Sequence, residues 1–447
     1  MSDTANRREF LKTATSVGAS LPFAGAAFAR GAKTSGSRVL GANDRINIGV
    51  VGVGGRGYYV AEAFTDYAEK NNNACQIAMV CDVYERRKKR AAERFKADST
   101  LDWHEVVARK DLDAVIVATP DHWHAKIALA AMDNGKDVYC EKPMCHTNDE
   151  ARQLINTVKE TKRVFQVGSQ TTSADQWYKA KKAIADGMIG QMLMSQGSYH
   201  RNSIEGEWNW TIDPGAGPDA KGDDYIDWKT WLGPAQNRPW DADRFFRFRK
   251  YWDYSGGIAT DLFYHRLSPI MFAIGNPEFP TRVMAGGGIY SPVDGDVRDV
   301  PDTYFTSIEF PSKFAILIGS SMLNATGFAQ GQPQLIRGTK GTLYLENTKL
   351  RIVPERPYRE EFKKKYNTEE LIVEVDNKGE YQGKPWTSDH QSNFINAIRG
   401  KEAVHFDVDL GYKAMVAIRL GVDAYRSGQV MYFDRSREKA TNRVTLA

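Results

Sequence analysis

Short apolar runs alternate with longer amphipathic stretches between residues 45 and 168. The apolar runs lie at 46–51, 76–81, 114–118, 138–140 and 164–167, and the stretches between them include 58–69, 85–96, 125–134 and 149–161. The runs have the length of strands, and the stretches are long enough for helices. This alternation predicts a parallel sheet that helices cover on both faces.

The pattern changes after residue 168. A helical stretch at 174–185 leads into a loop-rich segment at 199–254, which we call the aromatic segment. Strand-like runs with period two follow at 283–290, 303–310, 314–320, 342–345 and 371–375, and two helices at 391–399 and 410–425 close the chain. Runs of this kind, separated by Gly, Pro, Asn and Asp, predict an α+β domain with a mostly antiparallel open sheet.

The first 29 residues have the character of an export signal. Arg7 and Arg8 precede a weakly apolar stretch, rich in Ala and Gly, that ends in the small-x-small pattern AFA at 27–29. The stretch is shorter than the ~20 residues that a membrane-spanning helix needs. NRREFLK at 6–12 resembles the twin-arginine signal, which routes proteins that have already folded. We expect cleavage near Ala29 and a periplasmic mature protein.

Length and charge limit the possible classes of protein. About 400 residues remain after the signal, too many for one hydrophobic core. The expected parts are the signal at 1–29, a linker at 30–43, a dinucleotide-binding domain at 44–170 and a substrate and oligomerisation domain at 171–447. A net charge of +4 gives no argument for nucleic acid as a partner. The four cysteines lack CxxC spacing, which favours buried thiols, although an oxidising compartment would permit a bridge.

A glycine-rich turn follows the first apolar run. GVGGRG at 52–57 matches the GxGxxG pattern in its required context, after a strand and at the start of a helix. The glycines permit a tight turn and close approach to a pyrophosphate, whose charge the helix N-terminus favours. The residues of this turn predicted to contact the cofactor are Gly52, Gly54, Gly55, Arg56 and Gly57. The first domain is therefore expected to be a Rossmann domain.

The second apolar run ends at Asp82, where a carboxylate accepts hydrogen bonds from the adenosine ribose. Its charge would repel a 2′-phosphate, which favours NAD over NADP. The basic run at 86–90 leaves NADP open, because one of its side chains could pair with that phosphate. A solvated helix face is the alternative interpretation of this run.

Two later motifs resemble a known group of oxidoreductases. TPDHWH at 119–124 and GKDVYCEKP at 135–143 are similar to the glucose-fructose oxidoreductase / inositol dehydrogenase / MocA superfamily (Gfo/Idh/MocA), with EKP at 141–143 the most specific element. GGIATDLFYH at 256–265 matches the second motif of that family, an aspartate four residues before a histidine. The resemblance covers nearly the whole mature chain. It implies an NAD(P)-dependent oxidoreductase acting on CH–OH groups of a sugar or sugar derivative, and a homodimer or homotetramer formed through the open sheet.

The resemblance also implies roles for individual side chains. Lys142 would orient and polarise the reacting oxygen, His265 would be the general acid/base, and Asp261 would hold His265 or contact the sugar. Residues i and i+4 share a helix face, and a neutral imidazole near a carboxylate can take a proton from an alcohol. Further cofactor contacts are expected from Thr119, Pro120, His124, Glu141 and Lys142.

The substrate contacts are harder to assign. Candidates are Tyr199, His200, Trp210 and Tyr264, of which the first two could reach the substrate or simply pack. The aromatic segment holds six of the ten tryptophans, mixed with arginines that could match the faces and edges of a pyranose. A buried loop core or a subunit interface is the alternative for most of them. His122 and His124 resemble a metal pair, but no third ligand lies close in sequence, so no metal is expected.

Export of a folded protein suggests how the cofactor is used. Free NAD is scarce outside the cytoplasm, so we expect the dinucleotide to be inserted before export, to stay tightly bound and to be recycled on the enzyme. Paired oxidation and reduction of two sugars would do this, and so would a redox-neutral glycosidase that oxidises a hydroxyl only transiently. The motif of Asp261 and His265 resembles the dehydrogenases of this superfamily more than its glycosidases, which favours the oxidoreductase. A sugar-binding protein with purely structural NAD is the alternative from another class.

Overall fold

The computed structural model describes residues 45–443 except 276, 294, 328–333, 347 and 376–384. The predicted signal and linker lie outside the described residues. Two sheets, of six and ten strands, organise the described chain. Within these ranges, the helices are all too short or too polar to cross a membrane.

The first sheet is parallel throughout, and helices connect its strands. The strands are β1 (Ile46–Val51), β2 (Cys75–Cys81), β3 (Asp98–Thr100), β4 (Ala114–Val117), β5 (Asp137–Glu141) and β6 (Phe165–Gly168). The helices are α1 (Gly55–Lys70), α2 (Glu85–Phe95), α3 (Trp103–Ala108), α4 (Asp121–Asp133) and α5 (Asn148–Thr161). The strand order is β3-β2-β1-β4-β5-β6, which confirms the predicted Rossmann domain. The four cysteines lie here as buried free thiols, as their spacing predicts.

The second sheet is mostly antiparallel, as predicted. Its strands are β7 (Met192–Ser198), β8 (Arg282–Gly288), β9 (Thr303–Glu309), β10 (Ala315–Ser321), β11 (Gln334–Gly338), β12 (Gly341–Leu345), β13 (Lys349–Pro354), β14 (Leu371–Glu374), β15 (Met431–Asp434) and β16 (Lys439–Thr441). Their order is β14-β13-β12-β11-β7-β10-β9-β8-β15-β16, with β7 and β10 paired in parallel. The helices are α6 (Asp175–Ala185), α7 (Trp228–Leu232), α8 (Ala242–Phe246), α9 (Tyr264–Ile274), α10 (Arg359–Tyr366), α11 (Pro385–Ile398) and α12 (Val408–Ser427).

Helix α11 comes late in the sequence but packs on the first domain. The ring centre of Phe394 lies 5.9 Å from that of Phe64 in α1 and 5.7 Å from that of Tyr139 in β5. His390 of the same helix is fully buried, and its Nδ1 lies 2.7 Å from Oγ of Ser173, just after β6. The end of the chain therefore helps to fix the two domains to each other.

The aromatic segment also crosses between the domains, because it packs along α2. Trp228 and Trp231 are buried with Tyr84 in a separate hydrophobic core, so the loop-core interpretation is correct for these two tryptophans. The backbone N–H of Asp227 donates to the carbonyl of Val83 at 2.9 Å. Main-chain pairing and apolar burial thus hold the segment against the edge of the Rossmann domain.

Ion pairs reinforce this junction. Arg86 pairs with Asp213 at 3.5 Å and with Asp224, and Lys89 pairs with Asp223. The two basic side chains remain about half exposed, so each pair contributes little on its own. Both side chains nevertheless pair with acidic residues across the junction. The interpretation of the basic run as a solvated helix face therefore holds only in part.

Candidate active site

A cavity of about 1360 Å³ runs from the glycine turn to the aromatic segment. The order of the first sheet reverses between β1 and β4, and ligands bind at the carboxyl ends of strands at such a point. Pockets for one small ligand typically measure roughly 300–1,000 Å³, so this cavity has room for a dinucleotide and a second molecule. The predicted residues that line it are Gly52, Gly54, Gly55, Arg56, Asp82, Thr119, Pro120, His124, Glu141, Lys142, Tyr199, His200, Trp210, Asp261 and His265.

The glycines of the turn serve two different purposes. Gly52 has a φ of +88°, and a Cβ on Gly57 would lie 1.8 Å from the Gly52 carbonyl oxygen, so both positions are required by the backbone itself. A Cβ on Gly55 would meet nothing within 4 Å, and one on Gly54 would meet only the Arg87 guanidinium at 3.4 Å. The middle glycines therefore leave an open ledge at the N-terminus of α1, which fits a pyrophosphate.

Asp82 anchors this turn from the next strand. Its Oδ2 accepts from the N–H of Val53 at 2.9 Å, and its Oδ1 accepts from the N–H of Tyr84 at 3.0 Å. Burial raises the pKa of Asp82, while the nearby charge of Arg87 opposes that rise. A carboxylate has about four lone-pair sites, so Asp82 keeps acceptors for ribose hydroxyls. Arg87 lines the same end of the cavity and packs 5.2 Å from the ring centre of Phe245.

The histidines of the TPDHWH motif bind backbone carbonyl groups. The ring of His124 lies with Nδ1 2.5 Å from the Pro143 oxygen and Nε2 2.7 Å from the Thr119 oxygen, so it joins the two loops that border the cavity. Nε2 of His122 lies 3.1 Å from the Trp231 oxygen, in the aromatic segment. In the described part of the chain, no group of three or more His, Cys, Asp or Glu side chains is arranged to hold a metal ion.

Glu141 connects the EKP motif to the glycine turn. Its Oε1 accepts from Nε of Arg56 at 2.9 Å and from Nε2 of Gln170 at 2.9 Å, and the Glu141 side chain is almost fully buried. Its Oε2 also faces the N–H of Lys142 at 3.2 Å. Glu141 therefore fixes the strand end that presents Lys142 to the cavity.

Lys142 is held by Asp261 from the second domain. The Lys142 Nζ donates to Oδ1 of Asp261 at 2.9 Å and to its carbonyl oxygen at 2.8 Å. The same Oδ1 accepts from Nε of Arg249 at 2.9 Å, and Oδ2 accepts from Nε1 of Trp208 at 3.2 Å. Burial alone would raise the pKa of Asp261, but Arg249 and Lys142 hold it well below its usual range. Asp261 is thus a carboxylate that positions the lysine; it makes no hydrogen bond to His265 among the described contacts.

His265 lies in the same cavity and is half-buried. It follows Asp261 by four residues, where a π-helical turn, Ala259–Phe263, continues into α9. Burial and the positive charge of Lys142 lower the pKa of His265 well below its ordinary value. Its ring packs edge-on against that of Tyr199, with 5.8 Å between the ring centres. The imidazole is therefore neutral at physiological pH, the form that a general base requires.

The substrate candidates divide into two groups. Tyr199, His200 and Trp210 line the cavity, and the Trp210 side chain is strongly exposed to it. Tyr264 lies in the core instead, fully buried with its hydroxyl 3.3 Å from the Gly411 carbonyl oxygen, which argues against the prediction that it contacts substrate. Tyr264 projects about 100° around the helix from the neighbouring His265, and sequence alone gave no sign of which of the two faces the cavity.

Two arginines of this site were not singled out from the sequence. Arg201 and Arg249 both line the cavity at the end formed by the second domain. The mixture of arginines with aromatic residues in the aromatic segment was the available signal. That mixture did not separate Arg249 from Arg244, which pairs with Asp253 elsewhere in the segment.

Two family models match the chain in succession. The model of an oxidoreductase family with an NAD-binding Rossmann fold, GFO_IDH_MocA, matches residues 46–169. The model of the C-terminal alpha/beta domain of the same oxidoreductase family, GFO_IDH_MocA_C2, matches residues 174–292. Together they cover more than half of the 447 residues.

Curated relatives match parts of the chain. Levoglucosan dehydrogenase of Pseudarthrobacter phenanthrenivorans is 36% identical over 28% of this chain and 30% of its own length. Inositol 2-dehydrogenase of Rubrobacter xylanophilus is 32% identical over 38% of this chain and 49% of its own. Alpha-N-acetylgalactosaminidase of Shewanella oneidensis is 27% identical over 43% of this chain and 46% of its own. The chain thus spans between about a third and a half of the length of these relatives.

Solved structures share the whole fold. Levoglucosan dehydrogenase in complex with NADH and levoglucosan superimposes with a TM-score of 0.62 at 20% identity, covering 89% of this chain and 99% of the other. An NAD-binding oxidoreductase from Klebsiella pneumoniae superimposes with a TM-score of 0.64 at 20% identity, covering 90% of this chain and 100% of the other. At this identity the likeness shows the two-domain fold.

Proposed function

Since the chain belongs to the GFO_IDH_MocA oxidoreductase family, we propose that it is an NAD-dependent dehydrogenase that oxidises a hydroxyl carbon of a sugar or sugar derivative. The observation that carries this proposal is that Lys142 and a neutral His265 line the same cavity, which begins at the glycine turn. The relatives named levoglucosan dehydrogenase and inositol 2-dehydrogenase support a cyclic polyol or sugar as the substrate.

The residues of the chain divide the chemistry between them. Lys142, fixed by Asp261, donates a hydrogen bond to the reacting oxygen and stabilises the negative charge that develops there. His265 takes the proton of the hydroxyl as the C–O bond becomes a carbonyl. Bound NAD would accept the hydride that leaves the same carbon. His265 then gives this proton to solvent, or to the carbonyl oxygen of a second substrate when that substrate is reduced to an alcohol.

We propose NAD rather than NADP, and we propose that it is tightly held. Asp82 supports NAD, because its charge would repel a 2′-phosphate. Arg86 and Lys89 support it further, since their charges are engaged by acidic residues of the aromatic segment. The same segment packs along α2, and its Phe245 and Phe246 line the cavity beside Arg87, which favours slow release of the dinucleotide. Tight binding agrees with the proposed twin-arginine export to the periplasm, where lost cofactor would not be replaced.

A homodimer or homotetramer through the second sheet is also proposed. The strands β8 and β9 expose Met284 and Phe305, with 38% and 56% of their surfaces accessible. Large apolar side chains on an open sheet face are typical of a surface that another subunit covers. Light scattering on the purified protein measures the mass directly, and a monomer would contradict this part of the proposal.

The experiment that tests the activity compares three variants with the wild type. Absorbance of NADH is followed while the protein is mixed with levoglucosan, inositols and common monosaccharides. We expect Lys142→Ala and His265→Ala to lower turnover by roughly a hundredfold or more, the scale of one acid/base group. His104→Ala, a histidine with 66% of its side chain exposed, is the matched control and should behave as the wild type. No NADH formation by the wild type, with sugar binding unchanged in the first two variants, would favour a sugar-binding protein with structural NAD.

A redox-neutral glycosidase is the second candidate. The observation that favours it is the match to proteins named glycosyl hydrolase family 109 and alpha-N-acetylgalactosaminidase, over 43–44% of this chain. Incubation with aryl glycosides separates the two activities. Release of the aglycone without net formation of NADH would contradict the dehydrogenase proposal and support the glycosidase.

A further inference from the structure

The end of the cavity around the reacting groups carries an excess of positive charge. Three cationic side chains, Lys142, Arg201 and Arg249, lie there with two anionic ones, Asp261 and Glu207. His265 is neutral and leaves this excess unchanged. Because charges in a partly buried site are screened less than charges at the surface, one cation in excess there favours an anionic ligand.

Arg249 is presented in the form of a ligand-binding fork. Its Nε is engaged by Asp261 at 2.9 Å, while Nη1 and Nη2 make no hydrogen bond within the described ranges. The guanidinium carbon lies 5.0 Å from the ring centre of Trp210 and 4.6 Å from that of Phe248. Packing against two aromatic rings fixes the plane of the group, so its two terminal amino groups are already oriented. A planar, fixed fork of this kind suits two-point binding of a carboxylate or phosphate.

Arg201 adds a second guanidinium on the neighbouring side. Its Nη2 lies 3.1 Å from the Tyr199 hydroxyl, and its Nη1 lies 3.7 Å from Oε2 of Glu207, a loose ion pair. The charge of Arg201 acts on Asp261 together with those of Arg249 and Lys142. Asp261 and Glu207 together therefore face three cations, one more than they can neutralise.

The position of the fork relative to the chemistry is also fixed. Lys142 and Arg249 donate to the same oxygen, Oδ1 of Asp261, so the fork lies one carboxylate away from the lysine that binds the reacting oxygen. An acidic group held by Arg249 would thus belong to the same ring as the oxidised carbon, or to a substituent directly on it.

We propose that the substrate is an acidic sugar, whose carboxylate or phosphate ester is bound by Arg249 with help from Arg201. This inference rests on the proposed dehydrogenase function and narrows its substrate class. A neutral sugar would leave the guanidinium of Arg249 without a countercharge, and its binding would gain no charge–charge attraction from this site.

The experiment measures kcat/KM for matched sugars that differ in their acidic group. Galactose, galacturonate and galactose 6-phosphate form one set, and glucose, glucuronate and glucose 6-phosphate form another. Each is tested with the wild type, with Arg249→Gln, and with Arg238→Gln as the control, an arginine of the same segment that pairs with Asp253 away from the cavity. Binding is followed in parallel by calorimetry on the NAD-loaded protein.

We expect the wild type to favour the acidic member of a set. Arg249→Gln should lower kcat/KM for that member by roughly ten- to a hundredfold more than for the neutral member, the scale of a hydrogen-bonded charge. Any loss common to both members reports the change at Asp261, which Arg249 also holds. Arg238→Gln should keep the wild-type preference. Preference for the uronate identifies a carboxylate, and preference for the 6-phosphate identifies a phosphate ester.

Two other results have separate meanings. Oxidation of neutral sugars without preference for the acids, or a preference that survives in Arg249→Gln, overturns the inference and leaves the dehydrogenase intact. Absence of both binding and hydride transfer with every sugar in the two sets and with the cyclic polyols above contradicts the dehydrogenase itself.

Discussion

A change at His390 tests how burial of an ionisable side chain couples the stability of this fold to pH. His390 is fully buried where α11 meets the first domain, and burial, with a smaller effect of His405, lowers its pKa to about 3. In an unfolded chain the imidazole titrates near 6.5. Between these values the unfolded chain binds a proton that the folded protein excludes. The stability contributed by neutral His390 is therefore complete above pH ~6.5 and is lost as the pH falls below it.

The size of this effect follows from the two pKa values. Each pH unit below ~6.5 removes about 1.4 kcal/mol, so the loss from pH 7 to pH 5 is about 2 kcal/mol. His390→Gln removes the titration and keeps a polar side chain next to Ser173. Its free energy of unfolding should fall by about 2 kcal/mol less than that of the wild type over the same range. Comparison of the two slopes cancels groups that do not interact with His390, such as Asp137, whose pKa burial raises to about 6 and which acts in the opposite direction.

Urea unfolding at several pH values, followed by tryptophan fluorescence and circular dichroism, measures the two slopes. His104→Gln provides the control, because its ring is exposed and its removal should leave the wild-type slope unchanged. Parallel stability curves for the wild type and His390→Gln would refute the reasoning. They would mean that His390 takes up its proton in the folded state as easily as in the unfolded chain.

Three further predictions concern the cofactor and the chemistry. Gly57→Ala should lose both thermal stability and bound NAD, because its Cβ would lie 1.8 Å from a backbone oxygen. Gly55→Ala should keep its melting temperature and lose only NAD affinity, and an equal fall of the melting temperature in the two variants would contradict this. Because the pKa of His265 is depressed, kcat/KM of the wild type should stay constant as the pH falls from about 8 to below ~6.5, the ordinary pKa of histidine. A decline of kcat/KM centred near pH ~6.5 would argue against His265 as the base. Arg86→Glu should speed the release of NAD, measured by capture of the released NAD on an excess of a second NAD-binding protein. Arg86→Glu combined with Asp224→Arg should restore the slow rate, whereas equal release rates in the two variants would show that the junction does not retain the cofactor.

Local patterns were sufficient for most of the first domain. Buried parallel strands such as β4 carry unbroken apolar runs, and the glycine turn is specified by a few adjacent residues. The strand β3 was missed because its three residues, Asp-Ser-Thr, are polar and lie at the sheet edge. The strand β11 was missed because its pairing with β7 joins positions far apart in the sequence, and no local period marks it.

The candidate catalytic residues could be named from motifs, but their arrangement could not. The spacing of Asp261 and His265 suggested a carboxylate that holds the imidazole. In the structure Asp261 is engaged by Lys142 of the first domain and by Arg249, which lies 12 residues earlier in the second. The contact with Lys142 depends on how the two domains meet, and the sequence pattern of each domain contains no information about that geometry. The burial of Tyr264 was missed for a similar reason, since adjacent residues of one helix can face a core and a cavity.

The single oxygen of Asp261 that receives both Lys142 and Arg249 has a consequence for protein engineering. Exchanging the arginine to accept a new compound also removes one of the two cations that share this oxygen, so the lysine is drawn more strongly to the aspartate. Selectivity and turnover should then change together along a series of redesigned enzymes. Compensating substitutions would have to be sought around the aspartate, for example at Trp208, before new specificity could be gained without slower catalysis.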